Sequence, residues 1–540
     1  YIAGDHVVCE VVCRHAIESR PSGWLLTNDS KFQTAEPFAF GDQEEMGLGV
    51  RVATPITVKN GGRMLDSAGR KGEKEIRGTH GKWVDYSGIV NGKRIGMVVM
   101  PHLGNFRPSW YHARDYGFVA ANAFGRNALT NGLKSRVEVK PGESIRLRYG
   151  VLVYSEGDEE KLDREAEYRA YAKRDLAARN RRILYNLDGD SCMSVKKGVK
   201  GPTKITGEDL RRIVNEISYP GSQVDSLLIC MNAQVMYYPT KVGTMRGTLS
   251  TAEQRAKWPP GEKQRFENLE SMRHEGVDPY KLLIDAARQK NLEVILTFRM
   301  NDNHNLDFLH TAFWRDHPEF RLNGGALDFG HPEVCEYVYR LIEEAVQSYD
   351  IDGLELDFQR FPTFFSDGNK DVEERVAKIN ELVKRVRSML DAEGRKRGKD
   401  LILAARVPSD YGRTAPNYEL SRSIGCDPVA WAENNWIDFL TISEFLFVRY
   451  DLPIRPWKER IRNIPIYGGI ECAEGGKIEQ SMTAEKYRRA AAHLWKDGAD
   501  GIYLFNFFTT RENGNDSFEP PFEVLMDLGS PQPLSGAASE

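Results

Sequence analysis

The sequence predicts a two-part chain, a multidomain β plus α/β protein with an all-β sandwich followed by a (β/α)8 TIM barrel. Three observations predict it. Up to Tyr154, short β-forming runs are separated by Gly and Asn turns, and no helical period competes. From Arg182 onward, strand-like segments alternate with helix-like ones. Polar side chains then gather at the C-terminal ends of those strands, where such barrels place their sites.

A length of 540 residues is too great for one ordinary core, so two or three domains are expected. The net charge of −4 argues against a nucleic-acid partner, which selects strongly basic domains. No apolar run approaches the ~20 residues that span a bilayer, so no membrane span is expected. The seven cysteines are scattered, with only Cys9 and Cys13 close together. They lack metal-ligand spacing and read as small buried hydrophobes, and His80, His102 and His112 could hold a metal but have no motif spacing, so neither a metal nor another cofactor is expected. The expected domains are 1–155 (β-sandwich), 156–182 (a solvated helical linker, dense in both charge signs), 183–527 (barrel) and 528–540 (flexible tail).

In the first domain, Val7–Val12, Gly49–Val58, Arg94–Met100, Ser135–Val139 and Ile145–Tyr154 read as strands. Asn60-Gly61-Gly62 and Asn91-Gly92 read as hairpin-type turns. Two polar-rich blocks, Phe40 to Pro55 and Pro101 to Gly117, interrupt the pattern. At these blocks, and at Trp83 to Gly88 and Asn122 to Arg126, the domain resembles the methane-oxygenase-PmoA-like family over residues 35–130. The resemblance implies a sandwich similar to galactose-mutarotase-like sugar-binding domains. His80, His102, His112, Glu44, Glu45, Arg51 and Trp110 are candidates to line a sugar cleft. The alternative is that Arg51, Arg107 and Arg114 make ion pairs that knit loops together.

The barrel strands are expected at Ile183–Asp188, Asp225–Asn232, Leu292–Asn301, 351–362, Leu401–Pro408, Ile437–Glu444, Ile464–Glu471 and Gly501–Asn506. Helices are expected at Gly207–Ile217, Asp278–Lys290, Pro332–Tyr349, Asp371–Glu393 and Thr483–Asp497. A long insertion, Ala233 to Gly276, follows strand two. Strand four carries the strongest signal. Leu354, Leu356 and Phe358 occupy one parity, and Glu355, Asp357 and Gln359 the other, a strand with one apolar and one polar face. Two carboxylates on the inner parity are costly unless they face a cavity and have partners. Strand ends then contribute Asn186 and Asp188, Asn232, Arg299 and Asn301, Asp357, Gln359 and Arg360, Arg406, Glu444, Glu471 and Asn506.

Asp352-Gly353-Leu354-Glu355-Leu356-Asp357-Phe358-Gln359-Arg360-Phe361-Pro362 resembles the fourth-strand motif of the glycosyl-hydrolase-like family ten barrels. More distantly it is similar to the Asp-Gly-x-Asp-x-Asp-x-Glu motif of chitinases. Gln359 stands where that motif has its acid, and an amide cannot serve as one. The resemblance implies a glycoside hydrolase of bacterial polysaccharide degradation, periplasmic or secreted, with a carbohydrate substrate. Such hydrolysis needs two carboxylates. The candidates are Asp357, Glu471 and Glu444, with Asp357 and Glu471 the favoured pair and Glu444 the substitute. Asn186, Asp188, Asn232, Arg299, Asn301, Glu355, Gln359, Arg360, Arg406 and Asn506 are candidates for binding substrate, with Glu355, the deepest, read as a support behind the site or a core ion-pair partner. Arg299, Arg360, Arg406 and Arg449 either recognise a uronic or sulfated sugar or neutralise the local carboxylates. Two other functions stay open: a non-catalytic carbohydrate-binding protein, and a uronate lyase. The sequence carries no signature of oligomeric state.

Overall fold

Strands punctuated by Gly and Asn turns pair into antiparallel sheets in the first part of the chain. The computed structural model describes residues 2–3, 6–102, 105–141, 144–157, 162–171, 181–368, 371–397, 399–409, 418–444, 448–472, 482–513 and 519–531. The chain divides into two units, Tyr1–Ala177 with Asp391–Asp400, and Ala178–Leu390 with Leu401–Glu540.

In the first unit a six-stranded antiparallel sheet runs in the order Glu10–Arg20, Gly23–Gln33, Ser144–Glu156, Lys93–Pro101, Val84–Val90, Arg63–Asp66. A three-stranded sheet of Trp110–Arg114, Phe118–Asn122 and Leu48–Arg51 shares a core with it. Val84, Tyr86, Val99 and Tyr149 from one sheet pack with Tyr111, Ala113, Val119 and Ala121 from the other. The expected strand Gly49–Val58 stops at Arg51 and continues as the 3-10 turns Thr54–Ile56 and Val58–Asn60. Pro55 supplies the reason, since it has no N–H for a sheet ladder.

The segment expected to be a solvated linker is only partly so. Helix Arg164–Tyr171 buries Tyr168 against Leu25, Val98, Met100 and Leu152 on the outer face of the large sheet. Residues 158–161 and 172–180 of that linker lie outside the described residues. The charged candidates of this unit are tied to one another. Arg114 donates to Glu73 at 2.8 Å, to Glu44 at 3.3 Å and to His112 Nε2 at 2.8 Å. Burial and the adjacent Arg114 lower the His112 pKa. Arg51 lies over the rings of Tyr116 and Phe118 instead.

The second unit is a closed barrel of eight parallel strands: Ile183–Leu187, Val224–Cys230, Glu293–Arg299, Gly353–Asp357, Ile402–Pro408, Phe439–Ser443, Ile466–Ile470 and Ile502–Leu504. Apart from strand five, which ends at Pro408 as expected, the strands end one to several residues earlier than their polar ends suggest, so most site residues sit in the first turn after a strand. Helices Gly207–Ile217, Pro279–Gln289, Pro332–Ser348, Val372–Arg397 and Ala484–Lys496 follow the amphipathic periods of the sequence. A Thr206–Asp209 capping box starts the first of them, and Leu210, Ile213, Val214 and Ile217 form its buried stripe. Leu354, Leu356 and Phe358 join the helix-facing core. Glu355 and Asp357 turn into the barrel, as their parity requires. At the opposite end, Arg181 donates twice to Glu293 at 2.7 Å and Ser226 donates to the same carboxylate at 2.6 Å, closing the barrel floor.

The tail does not begin at residue 528. Leu528 is buried, its carbonyl accepts from Trp495 Nε1 at 2.7 Å, and Gly529 N donates to Gln223 at 2.7 Å. Residues 532–540 of the expected tail lie outside the described residues. Among the described residues no helix is long and apolar enough to cross a membrane.

Candidate active site

One arginine organises the C-terminal face of the barrel. Arg406, at the end of strand five, is fully buried and donates Nη1 to Asp357 Oδ2 at 3.1 Å and Nε to Ser443 Oγ at 2.9 Å. Its Nη2 lies 3.6 Å from Glu471 Oε1. Register explains the first pairing, because Asp357 and Arg406 are cross-strand partners on adjacent strands. Burial works against the cation, but Asp357, Tyr503, Glu471 and Glu355 outweigh it and hold the guanidinium above its ordinary pKa. The ring of Phe505 covers the guanidinium carbon at 3.6 Å.

Asp357 also accepts from the backbone of Gln359 at 3.0 Å and of Arg360 at 3.1 Å. Three donors therefore converge on it, an arrangement that suits a nucleophile or base better than a proton donor. The turn that delivers two of them is strained. Phe361 has φ 60°, a left-handed conformation that is costly for a bulky side chain and tends to persist at functional sites. Gln359 Oε1 is buried with no hydrogen-bond partner. Arg360 Nη2 lies 3.5 Å from His304 Nε2, and burial together with Arg299 lowers the Arg360 pKa.

Glu471 receives Asn506 Nδ2 at 3.2 Å. Glu444 is held differently, by the hydroxyl of Ser409 and by Arg449 Nη1 at 3.3 Å. Arg449 also donates to Asp451 at 2.9 Å. On the far side, Arg299 grips Asp188 through two bonds of 3.1 and 2.7 Å and reaches Asp302 at 2.8 Å. Burial opposes ionisation of both acids, but Arg299, with Arg360 near Asp188 and a His304 bond to Asp302, keeps their pKa values low.

Two expected substrate contacts, Asn301 and Asn232, are taken up by the loops themselves, and Glu355 sits as deep as its place in strand four implies. Asn301 donates to the carbonyls of Leu327 at 2.8 Å and Thr363 at 2.6 Å and accepts from Leu327 N at 2.9 Å. Asn232 donates to the carbonyls of Ala233 at 2.6 Å and Arg299 at 3.0 Å, and accepts from Arg299 N at 3.0 Å. Both amides staple loops and have little left to offer a ligand. Glu355 lies beneath the site, accepting from Thr297 Oγ at 2.9 Å and Tyr503 OH at 2.8 Å. Tyr503 accepts in turn from Asn186 Nδ2 at 2.6 Å.

Burial, reinforced by the neighbouring Asp357 charge, pushes the Glu355 pKa up to about 7. The native state therefore holds this proton more tightly than the unfolded chain does, and stability falls as pH rises from the ordinary carboxylate range to about 7. Glu355→Gln mimics the protonated form. We expect it to remove that loss, gaining on the order of 2 kcal/mol over wild type at pH 8 and little at pH 4. Urea unfolding at the two pH values checks this, and equal differences at both would refute it.

A cavity of about 180 Å3 opens at this face, bounded by Asp188, Arg299, Arg360 and Asn506 among others. A larger one, about 740 Å3, lies on the outer wall between helix Gly207–Ile217 and Phe522–Met526 and is lined by none of the strand-end candidates. Sequence reasoning did not single out Arg246, Glu262, Arg265, Asp302, Tyr503 and Glu512. Tyr503 was detectable, since it is the inward parity of strand eight between Ile502 and Leu504.

Residues 253–381 match the family Glycosyl hydrolase-like 10, which bears out the resemblance drawn from strand four. Residues 4–167 match a family of unknown function, DUF6807, and the comparisons give no support for the PmoA-like resemblance. No curated protein matches the chain. Among solved structures, the PgaB (BpsB) glycoside hydrolase domain from Bordetella bronchiseptica is similar at 12% identity and a TM-score of 0.38, covering 65% of this chain and 99% of that one. Alpha-L-fucosidase isoenzyme 2 from Paenibacillus thiaminolyticus is similar at 11% identity and a TM-score of 0.37, covering 66% of this chain and 49% of that one. The GH36 alpha-galactosidase AgaB from Geobacillus stearothermophilus gives 11% identity and a TM-score of 0.34, covering 96% of this chain and 66% of that one. The chain thus spans about half of the fucosidase and two thirds of the galactosidase. The segment that matches Glycosyl hydrolase-like 10 holds strands three and four of the barrel, Glu293–Arg299 and Gly353–Asp357.

Proposed function

We propose that the chain is a glycoside hydrolase that cuts a poly- or oligosaccharide at the C-terminal face of the barrel. Asp357 acts as nucleophile or base and Glu471 as the acid. The observation that carries this reading is the shared guanidinium of Arg406, which touches a carboxylate from strand four and one from the end of strand seven. A single guanidinium spans them, so their oxygens lie no more than about 9 Å apart, within the separations that glycosidases use. Glu444 stands as the substitute acid.

Three of the four arginines give no support to an anionic sugar, since Arg299, Arg406 and Arg449 each contact carboxylates of the chain itself. A polymeric substrate does not cross a cell membrane, which favours a periplasmic or secreted enzyme.

The test uses leaving groups. A poor leaving group needs protonation, whereas an activated aryl glycoside does not. Glu471→Gln is expected to lower kcat on a natural linkage by about a hundredfold or more and to spare an aryl glycoside of the same sugar. Equal losses on both substrates would transfer the acid role to Glu444. Products that absorb in the ultraviolet as unsaturated sugars would instead make the enzyme a lyase.

A further inference from the structure

The insertion after strand two brings Arg246, Glu262 and Arg265 to the same cavity that Asp188, Arg299 and Arg360 border. The turn after strand one adds Asp190, and the short helix Thr510–Asn513 after strand eight adds Glu512. Arg246 pairs with Glu262, and Arg265 pairs with Glu262 at 2.5 Å and with Glu512. Four arginines and four carboxylates thus line the wall, so the cavity offers no net charge to an ionic ligand.

Three of these groups keep hydrogen-bonding capacity. Arg246 Nε lies 2.9 Å from Asp190 Oδ2, but the angles make no hydrogen bond, and both atoms are buried without another partner. Arg265 Nε lies 3.7 Å from Asp190 Oδ1 and is likewise buried without a hydrogen bond. Asp190 and Arg246 are both more than nine-tenths buried. Buried donors and acceptors of this kind are normally satisfied by protein, water or ligand. A hydroxyl both donates and accepts, so vicinal hydroxyls answer an Asp oxygen and an Arg N–H together. Leu306 and Leu309 supply apolar wall for the C–H face of a ring. At about 180 Å3 the space falls below the ~300–1,000 Å3 of drug-sized pockets and suits one ring.

We infer that this cavity is a subsite for a single neutral hexopyranose, built by the insertion after strand two; the inference rests on the reading of this face as a sugar site. A uronate would add a negative charge to a wall whose four arginines already face four carboxylates.

The experiment titrates the full chain with D-glucose, D-galactose, D-mannose and N-acetyl-D-glucosamine, and with D-glucuronate and D-galacturonate, by ligand-observed NMR. At least one neutral sugar is expected to bind, and its uronate counterpart about tenfold more weakly or not at all. Leu306→Trp narrows the cavity from a side chain that is 44% exposed, so the fold tolerates it, and it is expected to weaken that binding at least tenfold. Arg265→Met is expected to act in the same direction. Binding of no neutral sugar, tighter uronate binding, or indifference to Leu306→Trp would each overturn the subsite. Sugar binding that is sensitive to Leu306→Trp in a chain that turns over no glycan leaves the subsite standing and removes the hydrolase reading. Turnover with a KM untouched by Leu306→Trp does the reverse.

Discussion

Asp357→Asn is expected to lower kcat on the cleaved glycan by at least about a thousandfold, some 4 kcal/mol of transition-state stabilisation. The substitution preserves shape but removes the nucleophilic or basic oxygen. Its effect on the fold is smaller and has a defined source. The carboxylate now accepts from Gln359 N, Arg360 N and Arg406 Nη1. An amide in either orientation points its NH2 at one of those donors, which costs about 1–3 kcal/mol in a buried site. Activity is therefore read at a temperature where circular dichroism shows the variant folded, with sugar binding as the control for an intact site. A variant that binds sugar and retains a tenth or more of wild-type kcat would remove Asp357 from the chemistry.

The barrel was legible because period-two and helical patterns alternate strongly, and because a strand with Glu355 and Asp357 on one parity has to face a cavity. Asp357, Arg406 and Glu471 are candidates from their strand ends, and the carboxylates of Asp357 and Glu471 both contact the Arg406 guanidinium. The errors have a common origin. Asn232 and Asn301 look the same in sequence whether they meet a ligand or clamp a loop, and the carbonyls that occupy Asn301 come from Leu327 and Thr363, far along the chain. Arg246, Glu262 and Arg265 were missed because they lie in an insertion whose return to the barrel mouth no local pattern encodes. The spacing of Glu262 and Arg265 on helix Pro260–His274 marked an ion pair but not what it faces. The tail was misplaced for a simpler reason. Leu528 and Gly529 have no periodic context, and their burial depends on Trp495 and Gln223.

Arg406→Met should produce the largest loss of stability among site variants, about 3–5 kcal/mol, since it leaves buried carboxylates without their cation. Methionine fills much of the aliphatic volume, so the loss is electrostatic rather than a cavity effect. Asp357 and Glu471 both contact the guanidinium, and Glu355 feels its charge from below. Asp357 keeps two backbone donors and Glu471 keeps Asn506, so the site is weakened rather than emptied of partners. The diagnostic feature is the pH dependence. An uncompensated carboxylate takes up a proton in preference to remaining charged in a low-dielectric site, so the variant recovers part of its stability as pH falls toward 5. Urea midpoints across that range separate this from simple loss of packing, which shows no such recovery. A pH-independent deficit would mean that Arg406 serves as a spacer, and that the carboxylates are kept apart by the backbone and by Asn506 alone. Activity is expected to fall with stability, because the same guanidinium sets the distance between the two carboxylates that cleavage requires.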